Sequence, residues 1–136
     1  MTEHFTLRLP PGTVDRLRRH AGRTGLAPRT LAQRYIEEGL RRDDHPLIRF
    51  ADGPAGRRAA LVRGPDVWEV ISVVRAGDND VKEAADYLAL PVALVEAAVT
   101  YYGEFQDEID DWIKSNDEEF ERGYAAFEAG QRAIRA

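Results

Sequence analysis

Hydrophobic and polar residues alternate strictly near the start of the chain. The apolar residues Phe5, Leu7 and Leu9 are separated by His4, Thr6 and Arg8. Side chains of a β-strand point alternately to opposite faces, so this run predicts a strand with one apolar and one partly cationic face. A lone strand is unstable, and the segment that follows reads as helical. We therefore expect the strand to pair with the same strand of a second copy across a two-fold axis.

Two helices are predicted after this strand. Pro10-Pro11-Gly12 reads as a turn, Thr13 as the cap of a helix of about ten residues, and Gly22 to Gly25 as its end. Pro28 suits the first turn of a second helix, whose apolar residues recur at three- and four-residue spacing up to Arg41-Arg42. Strand, helix and helix together are too short to bury a core, so an intertwined dimer is implied.

The middle of the chain shows a different pattern. Asp43-Asp44-His45-Pro46 reads as a linker, and two short extended segments around a Gly- and Pro-rich turn predict a β-hairpin. Three helices are predicted after it: one opened by Gly64-Pro65-Asp66 and ended by Gly77-Asp78-Asn79, one over Val81–Leu88 capped from Asn79 or Asp80, and one over Val92–Tyr102. A short helix, a turn at Ala89-Leu90-Pro91 and a further helix form a helix-turn-helix outline.

From Phe105 onward the pattern predicts one long amphipathic helix with a candidate break at Ser115-Asn116. Its apolar residues mostly recur every three or four positions: Phe105, Ile109, Trp112, Ile113, Phe120, Tyr124, Phe127 and Ile134. The first part, to Ile113, is expected to fold back on its own domain. For Trp112 to Ile134 a partner's groove is favoured, because an apolar stripe without a covering element marks an interaction surface.

Composition and charge narrow the function. The chain has 136 residues, of which 43% are hydrophobic and 32% charged, and no cysteine, which excludes disulfides and thiolate chemistry. No stretch approaches the about 18 apolar residues of a membrane helix, and no secretory signal is recognised, so we expect a cytoplasmic protein. The net charge of −5 is unevenly distributed: +3 over residues 1–44, −2 over 45–103 and −6 over 104–136. A basic head and an acidic tail suggest two partners of different kinds.

Catalysis is not expected from this sequence. His4, His20 and His45 are far apart and lack metal-ligand spacing, and Asp110-Asp111 and Asp117-Glu118-Glu119 read as solvated helix surface. No phosphate loop, nucleophile elbow or acid–base pair is recognised. We therefore expect no enzyme activity, no cofactor and no metal site.

The head of the chain resembles a known family. The resemblance is carried by Phe5-Thr6-Leu7-Arg8-Leu9-Pro10, Ala21, Gly25, Leu31, Ile36 and Leu40. These residues are similar to the ribbon-helix-helix family, which includes the Arc and MetJ repressors and the CopG-type regulators. The resemblance implies a dimer whose His4, Thr6 and Arg8 read the DNA major groove. It also implies a phosphate held at the start of the second helix, where Ala27-Pro28 replaces the usual Ser or Thr cap and Arg29 or Thr30 would compensate.

The middle of the chain resembles a small domain of uncharacterised function that is common in bacterial antitoxins. The likeness covers roughly residues 47–114 and is most recognisable in Tyr101-Tyr102 followed by Glu108-Ile109-Asp110. Because residues 92–102 contain no Lys, Arg, Asn or Gln, this helix-turn-helix outline reads as a packing or dimerisation unit and not as a second DNA reader.

The whole plan resembles a VapB-type antitoxin with three segments. These are a DNA-binding, dimerising ribbon-helix-helix head (1–44), a hairpin and helix-turn-helix-like middle (45–104), and an acidic helical tail (105–136), so the fold class is mainly α. The resemblance implies a PIN-domain ribonuclease toxin as partner, whose Mg²⁺-binding acidic cluster an arginine of the tail would approach. The expected toxin-binding residues are Trp112, Ile113, Phe120, Tyr124, Phe127, Arg132, Ile134 and Arg135, with Arg122 as a further candidate arginine. The alternatives are a stand-alone dimeric transcriptional regulator and a pure interaction module.

Overall fold

The chain is mainly helical, with one small antiparallel hairpin. A computed structural model describes residues 2–136, and Met1 of the predicted first segment lies outside them. Two compact units are found, one ending at Asp44 and the other spanning His45–Ala136. The middle and tail segments inferred from the sequence thus belong to the same unit.

The first unit contains helices α1 (Pro11–Thr24) and α2 (Pro28–Asp44). The turn predicted at Pro10-Pro11-Gly12 and the cap predicted at Thr13 are wrong, because the helix begins at Pro11. A proline at the first helical position fits there, since its φ is already helical and its missing N–H would have no partner. At the other end Gly25 adopts a left-handed φ of 72° and its N–H bonds to the Ala21 carbonyl.

Residues 2–10 form neither a helix nor a paired strand within the described chain. A strand is defined by hydrogen bonds to a neighbouring strand, and the single chain offers no second strand here. All nine of these residues are exposed, and Phe5 leaves 80% of its surface uncovered. Pairing with a second copy therefore stays a prediction.

The second unit begins with the predicted hairpin, which is confirmed. Strands β1 (Ile48–Gly53) and β2 (Gly56–Leu61) pair antiparallel in a register that runs from Ile48 opposite Leu61 to Gly53 opposite Gly56. Gly56 has a φ of 128°, which only glycine adopts without strain, so the tight turn depends on it.

Three helices follow the hairpin: α3 (Val67–Ala76), α4 (Val81–Leu88) and α5 (Val92–Glu104). Of the two caps considered for α4, Asp80 is the one used: its carboxylate accepts the N–H groups of Lys82 at 2.9 Å and Glu83 at 3.2 Å. Ala89, the first residue of the turn between α4 and α5, has a φ of 54°, in the left-handed region. These positions agree closely with the sequence prediction.

One apolar core joins the hairpin to these helices. Its largest completely buried side chains come from every element of the unit except α4: Ile48, Leu61, Val67, Val70, Val95, Tyr101 and Ile109. Tyr101 is the largest of them, and its ring lies 4.6 Å from that of Phe105 and 6.5 Å from that of Phe50. The candidate surfaces of the second unit are therefore attached to a well-packed core.

The last helix, α6 (Gln106–Arg135), runs without interruption for 30 residues. The break considered at Ser115-Asn116 is wrong, because the weak helix propensity of Ser and Asn costs only about 0.5 kcal/mol each, too little to stop an established helix. The fold-back prediction for its first part is confirmed: Ile109 is buried, and Phe105 and Ile113 pack against the core. Every residue from Lys114 to Ala136 is exposed.

Candidate interaction surfaces

The first unit exposes an apolar cleft between its extended segment and its two helices. The cleft has a volume of about 400 Å³, and its apolar walls come from Leu7, Leu9, Leu17, Tyr35 and Ile36. Only Ala21 and Leu31 are buried among the residues described up to Asp44. A unit with so small an interior leaves most of its apolar side chains in contact with solvent, so the cleft is a candidate protein-binding surface.

The residues predicted to bind DNA are all exposed. His4 and Thr6 lie on the same side of the extended segment, with the Thr6 hydroxyl 3.3 Å from Nε2 of His4. Arg8 follows two residues later in the sequence. Arg29 and Thr30 lie in the exposed first turn of α2, away from this segment in sequence. Their side chains are therefore accessible to a ligand of the first unit.

The second candidate surface is the outer part of α6, which we call the tail stripe: Phe120, Tyr124, Phe127 and Ile134. These side chains are between 56% and 86% exposed, and the rings of Phe120 and Tyr124 are nearly parallel with centroids 6.5 Å apart. Arg132 and Arg135 are exposed in the last turns of the same helix. Large apolar side chains in a continuous row on an exposed helix are typical of a surface that packs against a partner.

Trp112 and Ile113, which were grouped with the tail stripe in the sequence prediction, are half-buried within their own unit. Ile113 packs against the core. Trp112 lies against the hairpin turn, so closely that a Cβ added at Gly56 would be 3.6 Å from its ring. With Arg58, Asp66 and other residues it lines a cleft of about 230 Å³. Both residues connect the packed base of α6 to the exposed stripe.

A polar network that the sequence analysis missed holds the base of α6. Nη2 of Arg75 and the hydroxyl of Tyr102 both donate to Oδ1 of Asp110, at 2.8 Å and 2.7 Å, and thereby join α3, α5 and α6. Arg75 also lies over the Tyr102 ring, 5.2 Å from its centroid. The three residues lie on three different helices, so no sequence spacing could reveal the network.

The charges of this network alter two pKa values. The hydrogen bond from Tyr102, together with the Arg75 guanidinium, holds the pKa of the Asp110 carboxyl below its usual value. Burial and the neighbouring Asp110 carboxylate raise the pKa of the Tyr102 hydroxyl. Both shifts favour the donor and acceptor states that the network needs at neutral pH.

A second polar contact ties the beginning of the unit to the end of α5. Nε2 of His45 lies 2.6 Å from a carboxylate oxygen of Glu104, and the imidazole stands edge-on to the Tyr101 ring at 5.2 Å. The side chain of His45 is buried, whereas that of Glu104 is half exposed. His45 therefore has a structural role in the core of the second unit.

Other site classes find little support among residues 2–136. No group of three or more His, Asp or Glu side chains there is arranged to hold a metal ion. No single helix is long and apolar enough to span a membrane; α4 and α5 reach the required length and composition only jointly, with a bend of 120° between them. Comparison with models of known families, with curated proteins and with solved structures finds no match.

Proposed function

We propose that this protein is an antitoxin that binds and neutralises a PIN-domain ribonuclease toxin and represses its own operon. The observation that carries the proposal is the tail stripe, an exposed row of aromatic and aliphatic side chains on a helix whose base is fixed to a packed domain. A helix of this kind suits insertion of its apolar face into a groove. Inhibition then needs no chemistry on this chain, because the helix blocks access to the toxin's active site.

The arginines of the tail have a defined part in this proposal. Arg132 and Arg135 lie on either side of Ile134, the last residue of the tail stripe, and are exposed, so either is available to the acidic, Mg²⁺-binding cluster of a PIN domain. The acidic residues around Phe120 would face a basic rim on the same toxin.

The head is proposed to be a ribbon-helix-helix dimer. Its exposed cleft and its lack of interior support an assembly in which a second copy supplies the missing half of the core. The two extended segments would pair as a ribbon that displays His4, Thr6 and Arg8 to the major groove. The helix-turn-helix-like middle, whose α5 carries no cation, is proposed to act in packing only.

Co-purification tests the partner. The chain is expressed with its genomic neighbours, captured, and the intact mass of any companion is measured. A stoichiometric small protein with a PIN-like acidic cluster is expected. Phe127→Asp should abolish co-purification of the companion. Ala129→Asp, which places the same charge on the opposite face of the helix, should leave the companion bound. A clean dimer that carries only DNA would support a stand-alone transcriptional regulator instead.

A separate titration tests the DNA-binding half. Arg8→Ala should lower operator affinity by about 1–3 kcal/mol at fixed salt, because a bidentate contact to a base would be lost. Arg19→Ala removes the same charge from the exposed surface of α1 and serves as the control. Equal operator affinities of wild type and Arg8→Ala would refute the proposed role of the ribbon in DNA binding.

A further inference from the structure

The tail stripe has a regular seven-residue repeat. Phe120, Phe127 and Ile134 are spaced by seven, and Tyr124 lies beside them one turn along the helix. A repeat of seven keeps side chains on one narrow row, which is the pattern of helices that pack along their length against another helix. The stripe is thus shaped for a helical partner of similar length.

Two glycines accompany the stripe with the same period. Gly123 and Gly130 lie on one flank of it, and a Cβ added at either would meet nothing within 4 Å. Glycine inside a helix costs about 1 kcal/mol relative to alanine. Nothing in this chain needs the missing side chains, so the glycines fit a backbone that approaches from outside.

The other flank carries charges of opposite sign at its two ends. At about 100° per residue, five charged residues between positions 117 and 135 fall on the side of Tyr124, with Glu128 in the middle. Asp117 and Glu121 lie near the base of the exposed part, and Arg132 and Arg135 near its end. A parallel copy would place like charges together, whereas an antiparallel copy places Asp117 and Glu121 beside basic residues and leaves only Glu128 near its own copy.

We propose that the tail stripe pairs with the tail stripe of a second copy of this chain, antiparallel and around a two-fold axis near Phe127. Phe120 then lies beside Ile134 of the other copy. Asp117 faces Arg135 and Glu121 faces Arg132, twice each by symmetry. The pairing stands without the antitoxin proposal. Its consequence, which does rest on that proposal, is that the toxin and the second copy compete for the same face.

Disulfide trapping in the full chain tests the geometry, since the chain has no cysteine of its own. A disulfide needs Cα atoms about 4.4–6.8 Å apart, which facing positions of two packed helices meet. Under mild oxidation Phe127→Cys should cross-link to itself, and a mixture of Phe120→Cys with Ile134→Cys should form the mixed dimer. Yields should exceed that of the outward-facing control Ala129→Cys on the order of tenfold, because the paired thiols are at high effective concentration.

The antiparallel arrangement makes a negative prediction as well. Phe120→Cys alone should cross-link no more than the control, because its two copies lie at opposite ends of the pair. Strong self-linking of Phe120→Cys would overturn the arrangement in favour of a parallel one, and equal yields at all positions would overturn the pairing altogether. Because the introduced cysteines lie in α6, the cross-link reports on tail pairing independently of how the first units assemble.

Because Phe127→Cys removes a ring from the proposed interface, charge reversal provides an independent test of the pairing. In the Phe127→Cys background, Arg132→Glu with Arg135→Glu should lower the yield, and mixing with Asp117→Arg plus Glu121→Arg should restore it. A yield that ignores these charges would contradict the pairing. Addition of the co-purified partner should suppress the cross-link; a partner that binds while the cross-link persists would overturn the competition and leave the antitoxin proposal intact.

Discussion

The two units of this chain differ in how much apolar surface they bury. The second unit packs a hairpin and four helices around a continuous interior that includes Tyr101 and Ile109. The first unit has two well-formed helices yet buries only Ala21 and Leu31 among its described residues. Regular helices therefore do not imply a large interior.

The largest effect is expected in the core of the second unit. Tyr101→Ala should lower the free energy of unfolding by about 3–5 kcal/mol, because it removes the largest fully buried side chain and leaves a cavity. Tyr87→Ala removes the same group from a position that is 80% exposed and should change stability by less than about 0.5 kcal/mol. Urea denaturation followed by circular dichroism compares the two; equal losses would contradict the contrast.

A smaller effect is expected when the apolar face of the head is charged. Leu7→Asp should weaken the proposed dimer by about 2–3 kcal/mol, or at least about 30-fold in Kd, since a leucine would no longer be buried between copies. Thr6→Asp adds the same charge to the opposite face and should leave the dimer intact. Mass measurement by light scattering over a dilution series, on chains that also carry Phe127→Asp so that the tails do not pair, decides between them. A monomeric Phe127→Asp chain would refute the dependence of the first unit on a second copy.

Local capping provides a finer test within the second unit. Asp80→Ala should cost about 1 kcal/mol, because the N–H groups of Lys82 and Glu83 lose their acceptor. Asp86→Ala, an exposed substitution on the same helix, provides the control for removal of a carboxylate. The difference in urea midpoint between these two variants measures the cap alone.

The smallest effect is a dependence on pH. The pKa of Asp110 is lower in the folded chain than the about 3.9 of a free aspartate, so the unfolded state binds its proton more readily. Its contribution is therefore fully present above pH about 4 and is lost as the pH falls through the folded pKa. The stability difference between wild type and Asp110→Asn, measured by urea denaturation, should shrink in that range.

The sequence predicted most of the second unit because its boundaries are local. Asp80 caps one helix, Gly77-Asp78-Asn79 ends another, and the turn of the hairpin is rich in Gly and Pro, so each signal lies next to the element that it defines. The start of α1 was misjudged because Pro10-Pro11 serves equally as a turn or as a helix opening.

The contacts between elements could not be predicted in the same way. Arg75, Tyr102 and Asp110 meet only because three helices converge, and periodicity carries no information about which helices become neighbours. The surfaces were easier to anticipate, since exposed apolar residues such as Phe5 and Phe127 are those for which the pattern offered no covering element.

The uninterrupted course of α6 has a mechanical consequence. At 1.5 Å per residue its 30 residues measure about 45 Å, of which about 33 Å follows the last contact with the core. Without a proline or a bulge this length behaves as a rod and not as a tether. A small tilt at its base would move the far end by several ångströms, so the packing of Ile109 and Ile113 and the hydrogen bonds of Asp110 together set the direction of the exposed part.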